Sequence, residues 1–261
     1  MNKKINTTLA LVFLSSLLLP HLTFSKNVHV DPHWVYEKQG VWGELKDHLY
    51  SPPYPYAECS IGQKQSPINI EPSNIIKVEK IDELQPSYTE IPLSLTNNGH
   101  TIRANTAYGK LYFGNNEYDL VQFHFHSPSE HLINVVSYPM EIHFVNGTAD
   151  GRMAVLGVMV KAGAFNSAFQ EILDRAPSVG GQTTTSMVVI HPEQFLPAHP
   201  QHFYTYSGSL TTPPCNEGVQ WFILQEALEV SENQIALFNS KFYHGNARGE
   251  QKLNGRRLDA H

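Results

Sequence analysis

Two short alternating segments hold the residues best suited to chemistry. In Val121-Gln122-Phe123-His124-Phe125-His126 a β-strand would send Gln122, His124 and His126 to one face and Val121, Phe123 and Phe125 to the other. Met140-Glu141-Ile142-His143-Phe144-Val145 alternates in the same way, and if the two strands pair, His143 meets His124 and His126 across the ladder. Three neutral imidazoles with no fourth protein ligand nearby in sequence describe a zinc site that keeps one position open for water; a structural zinc would be closed, commonly by Cys. The chain has 14 histidines, and a lone His-x-His pair is more often packed or solvated than ligating. The neighbours change that reading. Gln122 shares a face with His124 two residues on, Glu141 stands in the same relation to His143, and metal-bound imidazoles usually give their second N–H to such an amide oxygen or carboxylate. Glu130, between the segments, is either a surface carboxylate or a buried acid aimed at a hydroxyl near the metal.

Positioning these residues falls to a strand-rich chain. Alternation and Gly, Pro and Asn turns predict strands over Leu93–Thr96, Thr101–Ala104, Leu111–Phe113, Leu120–His126, Met140–Val145, Ala154–Val160, Ser186–Ile190, Phe203–Ser207 and Val219–Leu224. Phe165, Ala168, Phe169, Ile172 and Leu173 fall at helical spacing, and a second helix starts at Ser231 with Gln234 in capping-box position.

Of the 261 residues 41% are hydrophobic and 16% charged, which suits one compact domain without repeats or linkers. Lys3 and Lys4, the apolar run Leu9 to Leu19, and Thr23 and Ser25 before a cleavage point form a secretory signal pattern over residues 1–25, leaving 26–261 as the domain. Pro20, His21 and the shortness of the apolar run argue against a retained membrane anchor. Removing the leader takes away two lysines and leaves 16 basic against 24 acidic residues, no basis for binding nucleic acid. Export implies a periplasmic or secreted protein. Cys59 and Cys215, the only cysteines, suit either one disulfide or two free thiols.

The run Ser129-Glu130-His131-x-Ile133-x4-Tyr138-x2-Glu141-Ile142-His143-Phe144-Val145 resembles the signature of the α-class carbonic anhydrases at every specified position. Gln65-Ser66-Pro67-Ile68-Asn69-Ile70, Asn97-Asn98-Gly99-His100 and Ser207-Gly208-Ser209-Leu210-Thr211-Thr212-Pro213-Pro214-Cys215 agree with it, so that the likeness runs from Trp34 to Arg256. The resemblance implies a mainly β (α+β) fold, a large, twisted, mostly antiparallel sheet of about ten strands with peripheral helices. It implies reversible hydration of carbon dioxide to bicarbonate and a proton by attack of zinc-bound hydroxide, with Zn2+ held by His124, His126 and His143. Thr211 matches the residue that accepts the hydroxide's hydrogen bond and donates its own to Glu130. Val145, Val155, Leu210 and Trp221 match the apolar wall for carbon dioxide, and Thr212 borders the same pocket. His100 matches the proton shuttle, and Tyr36 and Asn98 match positions that order the water chain leading to it. Bacterial and extracellular members bridge the places of Cys59 and Cys215, which would tether the Leu210–Pro214 loop.

Two departures stand out: Arg103 occupies a position often Asn or Gln, which bears on shuttling and anion affinity, and Gly249 follows Asn246-x-Arg248 where Pro is common. Two rival readings remain. His124-x-His126-x3-Glu130 also fits the first metal motif of cupin barrels, which use iron or manganese, although the expected glycines around it are missing. A silent binding module on the carbonic anhydrase fold is the other, but such proteins usually lose a ligand histidine. Whether two copies associate as a homodimer is left open by the sequence.

Overall fold

A computed structural model describes residues 31–261 except 50, 79–80, 107 and 243–244, so the expected leader over residues 1–25 lies outside the described residues. The strands are β1 (Asn69–Ile70), β2 (Ile75–Lys77), β3 (Leu84–Ser87), β4 (Ile91–Asn97), β5 (Ile102–Asn105), β6 (Lys110–Phe113), β7 (Asn116–His126), β8 (Leu132–Ile133), β9 (Met140–Gly147), β10 (Met153–Ala162), β11 (Gln182–Ile190), β12 (Phe203–Ser209), β13 (Glu217–Leu224), β14 (Leu228–Val230) and β15 (Leu258–Ala260). The α-helices are α1 (Glu58–Ile61), α2 (Ser167–Arg175) and α3 (Glu232–Phe242).

Thirteen strands form one sheet whose main path is β11-β4-β5-β7-β9-β10-β13-β12-β15-β2, with β3, β6 and β14 attached beside it; β1 and β8 pair separately. That path contains the expected ten or so strands. It is mostly antiparallel, but β10 pairs in parallel with β13 and β14, and β15 with β2. Parallel neighbours need long crossover connections, so local alternation could not have revealed them.

β7 and β9 lie in the middle of the path, and Phe123, Phe125 and Phe144 are fully buried on its core side. Burying each ring contributes roughly 1.5–3 kcal/mol, and the Phe123 and Phe144 rings stack with centroids 5.2 Å apart. Every residue of β9 from Met140 to Asn146 is buried, so its histidine face is as enclosed as its phenylalanine face. Val121 departs from the expected alternation. The β7–β9 register shifts between Leu120 and Gln122, and Val121 stays 52% exposed at this irregularity instead of joining the phenylalanines.

α2 buries Ala168, Phe169, Ile172 and Leu173 as its spacing predicts, but Phe165 lies outside it and is exposed. The side chain of Asn166 caps the helix by accepting the Phe169 N–H at 2.9 Å, so helical spacing begins only after Phe165. The Ser231/Gln234 capping box at α3 is formed, with each side chain accepting the other's backbone N–H. β11 is four residues longer than its sequence pattern and contains an irregularity between Thr185 and Val189, where Met187 is nearly fully exposed.

Candidate metal centre

Strand register brings the histidines together. His124 pairs directly with His143, and His126 with Glu141, across β7 and β9, so all four side chains share one face. One ring nitrogen of each histidine is already engaged. His124 Nδ1 bonds to Gln122 Oε1 at 2.9 Å, His126 Nδ1 to the Asn246 carbonyl at 2.7 Å, and His143 Nε2 to Glu141 Oε1 at 2.8 Å. The nitrogens left over are His124 Nε2, His126 Nε2 and His143 Nδ1. His126 Nε2 is buried with no hydrogen-bond partner. A buried imidazole nitrogen left so is costly unless something binds it. The three histidines offer ligand atoms within 4.8 Å of one another, which fits a small cation. His131, Glu141 and His143 also cluster, but their atoms are each other's hydrogen-bond partners and are therefore spent.

The electrostatics favour neutral ligands. Burial first, then the neighbouring charges of His126, His143 and Arg103, hold His124 well below the usual imidazole range. Burial lowers His126 to about 4 and also lowers His143. Burial alone would raise the Glu141 carboxyl, but His131 and His143 together hold it well below the usual range. Its four acceptor bonds show how: Oε1 takes the rings of His143 and His131, each at 2.8 Å, and Oε2 takes the backbone N–H groups of Glu130 and His131 at 2.9 and 2.8 Å. Gly157, opposite His143 on β10, leaves the necessary room, since a Cβ there would sit 3.0 Å from Glu141 Oε1 and 2.6 Å from Ile223.

Glu130 is 2% exposed and sits against this cluster, with Oε2 3.5 Å from His126 Nε2 and 3.8 Å from His143 Nδ1. Its Oε1 accepts the Arg248 backbone N–H at 2.8 Å, while Oε2 is buried with no hydrogen-bond partner. Burial pushes Glu130 up to about 7 against the lowering pull of His143, Arg248 and Thr211. The Arg248 guanidinium binds Gln65 Oε1, the Ser66 carbonyl and the Cys59 carbonyl at 2.9–3.0 Å. Cys59 and Cys215 form a disulfide, and the Cys215 N–H closes a turn onto the Thr212 carbonyl, so the bridge holds the Thr211 loop.

Two lobes of cavity meet at Gln122, His124 and Thr212. The apolar lobe, about 260 Å³, is walled by Val145, Met153, Val155, Leu210 and Trp221. The polar lobe, about 170 Å³, contains Tyr36, Asn98, His100 and Arg103. The Tyr36 hydroxyl is buried without a hydrogen-bond partner, and burial followed by the charge of Glu130 raises its pKa well above the ordinary value. Asn98 Oδ1 is occupied in holding the turn, accepting the backbone N–H groups of His100 and Thr101. His100 is half-buried and stacks on Trp34 with centroids 3.7 Å apart; burial and then the charge of His33 lower its pKa.

Sequence reasoning missed Asn246, Trp34, Met153, Gly157 and the buried chain from His131 Nε2 to the Tyr206 hydroxyl (2.7 Å) and on to Ser66 Oγ (2.8 Å). His131 lay inside the matched motif, which was its available signal. The Asn246 partner is a backbone carbonyl 120 positions from His126, a role that no residue type encodes.

A family model of the eukaryotic-type carbonic anhydrases matches residues 51–260. The chain is 42% identical over 220 residues to a carbonic anhydrase of Nostoc sp., covering 82% of this chain and 80% of that one. It is 36% identical over 247 residues to one of Pectobacterium carotovorum, covering 93% and 97%. Among solved structures, the α-carbonic anhydrase of Thermovibrio ammonificans in complex with sulfanilamide superposes with a TM-score of 0.81 at 36% identity, over 87% of this chain and 99% of that one. Neither the sheet nor these relatives fit the cupin alternative. With three histidines converging on one face of the central strands and the likeness running through most of its length, the chain belongs to the carbonic anhydrase family, α class.

Proposed function

We propose that this chain catalyses the reversible hydration of carbon dioxide to bicarbonate and a proton, with zinc held by His124 Nε2, His126 Nε2 and His143 Nδ1. The observation that carries the reading is the convergence of three imidazole nitrogens whose partner nitrogens are already bonded to Gln122, Asn246 and Glu141. Three neutral ligands leave zinc its full charge, and zinc so held is a Lewis acid that acidifies water to supply a nucleophile near neutral pH.

The chain's own residues orient and drain that chemistry. Thr211 donates its hydroxyl hydrogen bond to the Glu130 carboxylate, which leaves its oxygen as an acceptor toward the cavity and fixes the direction from which attack comes. Carbon dioxide has no net dipole, and Val145, Val155, Leu210, Met153 and Trp221 offer it an apolar surface beside the metal position. Thr212 borders both lobes, where it meets reactant on one side and water on the other. Protons leave through the polar lobe to His100, with the unpaired Tyr36 hydroxyl on the way. We read residues 1–25 as a leader and the rest as one exported domain. The disulfide suits an oxidising compartment, and no described helix is long and apolar enough to cross a membrane.

Stopped-flow carbon dioxide hydration tests the reading, with Thr211→Ala lowering kcat/KM and His100→Ala lowering mainly kcat, restored by small imidazole buffers. A wild-type protein with no hydration activity would refute it, and an unchanged kcat in His100→Ala at low buffer would remove His100 from the route.

A further inference from the structure

We infer that Arg103 is an anion-docking residue of the cavity, drawing bicarbonate and other small monoanions toward the point where the three histidines converge. The inference rests on the carbon dioxide and bicarbonate reading above. β5 sets Arg103 directly opposite His124, so the guanidinium and the ligand imidazole share a face. One end of the side chain is fixed: Nε donates to Asn105 Oδ1 at 2.9 Å, Asn105 in turn donates to Thr96 Oγ1, and Thr96 bonds to Thr183 on the edge strand. Among the described residues no carboxylate or carbonyl takes the terminal N–H groups. The two acids of the site face elsewhere: Glu130 Oε1 takes the Arg248 N–H while its Oε2 lies 3.5 Å from His126 Nε2 and 3.8 Å from His143 Nδ1, and Glu141 is taken by His131 and His143.

The site therefore holds an unpaired, pre-positioned guanidinium lining the same polar lobe as His100 and Gln122. Next to a cation-binding point such a charge works against the metal. What it suits is an anion, and the planar N–H fork matches the two oxygens of a carboxylate-like ion such as bicarbonate.

The test measures dissociation constants for bicarbonate and thiocyanate on the zinc-loaded protein by calorimetry, in wild type, Arg103→Gln and Arg103→Lys, at low and high ionic strength. Arg103→Gln should weaken both anions about tenfold, equivalent to about 1.4 kcal/mol. Arg103→Lys, which keeps the charge but not the fork, should recover part of that loss, and the gap between wild type and Arg103→Gln should narrow as salt rises. Equal constants in wild type and Arg103→Gln would overturn the inference. So would a loss in Arg103→Lys as large as that in Arg103→Gln, since charge would then not be the cause. Wild type assayed for hydration in the same series separates this failure from failure of the underlying reading.

Discussion

Replacing Glu141 by Gln alters a single atom yet should disable much of the metal site. Both carboxylate oxygens are buried and each accepts two hydrogen bonds, from the His143 and His131 rings on one side and from two backbone N–H groups on the other. An amide has one oxygen, so either orientation sets an NH2 against two former donors. Facing the backbone, it would lose two charge-assisted bonds worth roughly 1.5–3 kcal/mol each, because backbone N–H groups cannot become acceptors. Facing the rings, it can be accommodated if His143 accepts at Nε2. That moves the imidazole proton to Nδ1, the nitrogen left for the metal, so ligation must first reverse the tautomer. Zinc affinity should therefore fall about ten- to a hundredfold, or roughly 1.4–2.8 kcal/mol, with the fold retained. Competition against a chelator of known zinc affinity measures it, with near-ultraviolet circular dichroism as a check on packing. A Glu141→Gln protein that binds zinc within twofold of wild type would refute the reasoning.

Three further outcomes follow from the same structure. Breaking the Cys59–Cys215 bridge with Ala at both positions opens a loop of 156 residues in sequence separation, and the chain-entropy estimate is about 5 kcal/mol of lost stability, read as a drop in urea midpoint; an unchanged midpoint would show that the bridge constrains nothing. Glu130→Gln should stabilise the metal-free protein above pH 7 by up to about 3 kcal/mol while lowering hydration activity. Burial raises Glu130 from 4.5 to about 7 in the folded chain, so its ionisation opposes folding increasingly as pH rises through that window. No gain is expected near pH 4, where the acid is protonated folded and unfolded, and equal stabilisation at pH 4 and 8 would contradict this cause. Val135, 72% exposed, is a β-branched residue with φ of 59° in the Ile133–Val136 turn beside Asn134 at 51°, so Val135→Gly should raise thermal stability by about 0.5–1 kcal/mol; a lower melting temperature would show that the strain is absent.

What the sequence made legible was whatever neighbouring residues encode. The alternation of β7 and β9 put His124, His126 and His143 on one face, and the i, i+2 spacing put Gln122 and Glu141 beside their histidines. Helix α2 could be read from its apolar spacing, but its true start depended on Asn166 acting as a cap. The remaining parts are long-range or carried by the backbone. Asn246 supports His126 with a carbonyl, Arg248 holds Glu130 with an amide, and Gly157 acts by having no side chain. The irregularity that exposes Val121 and the parallel pairing of β10 with β13 likewise arise only when distant strands meet.

The central claim, that three histidines hold one zinc and that this zinc makes the protein a carbon dioxide hydratase, is tested most directly by titrating zinc into chelator-treated protein while following hydration. Activity should rise linearly and stop at one equivalent per chain, and His143→Ala should show neither the rise nor the stoichiometric uptake. Full activity before any zinc is added, or a plateau unrelated to one zinc per chain, would contradict the account.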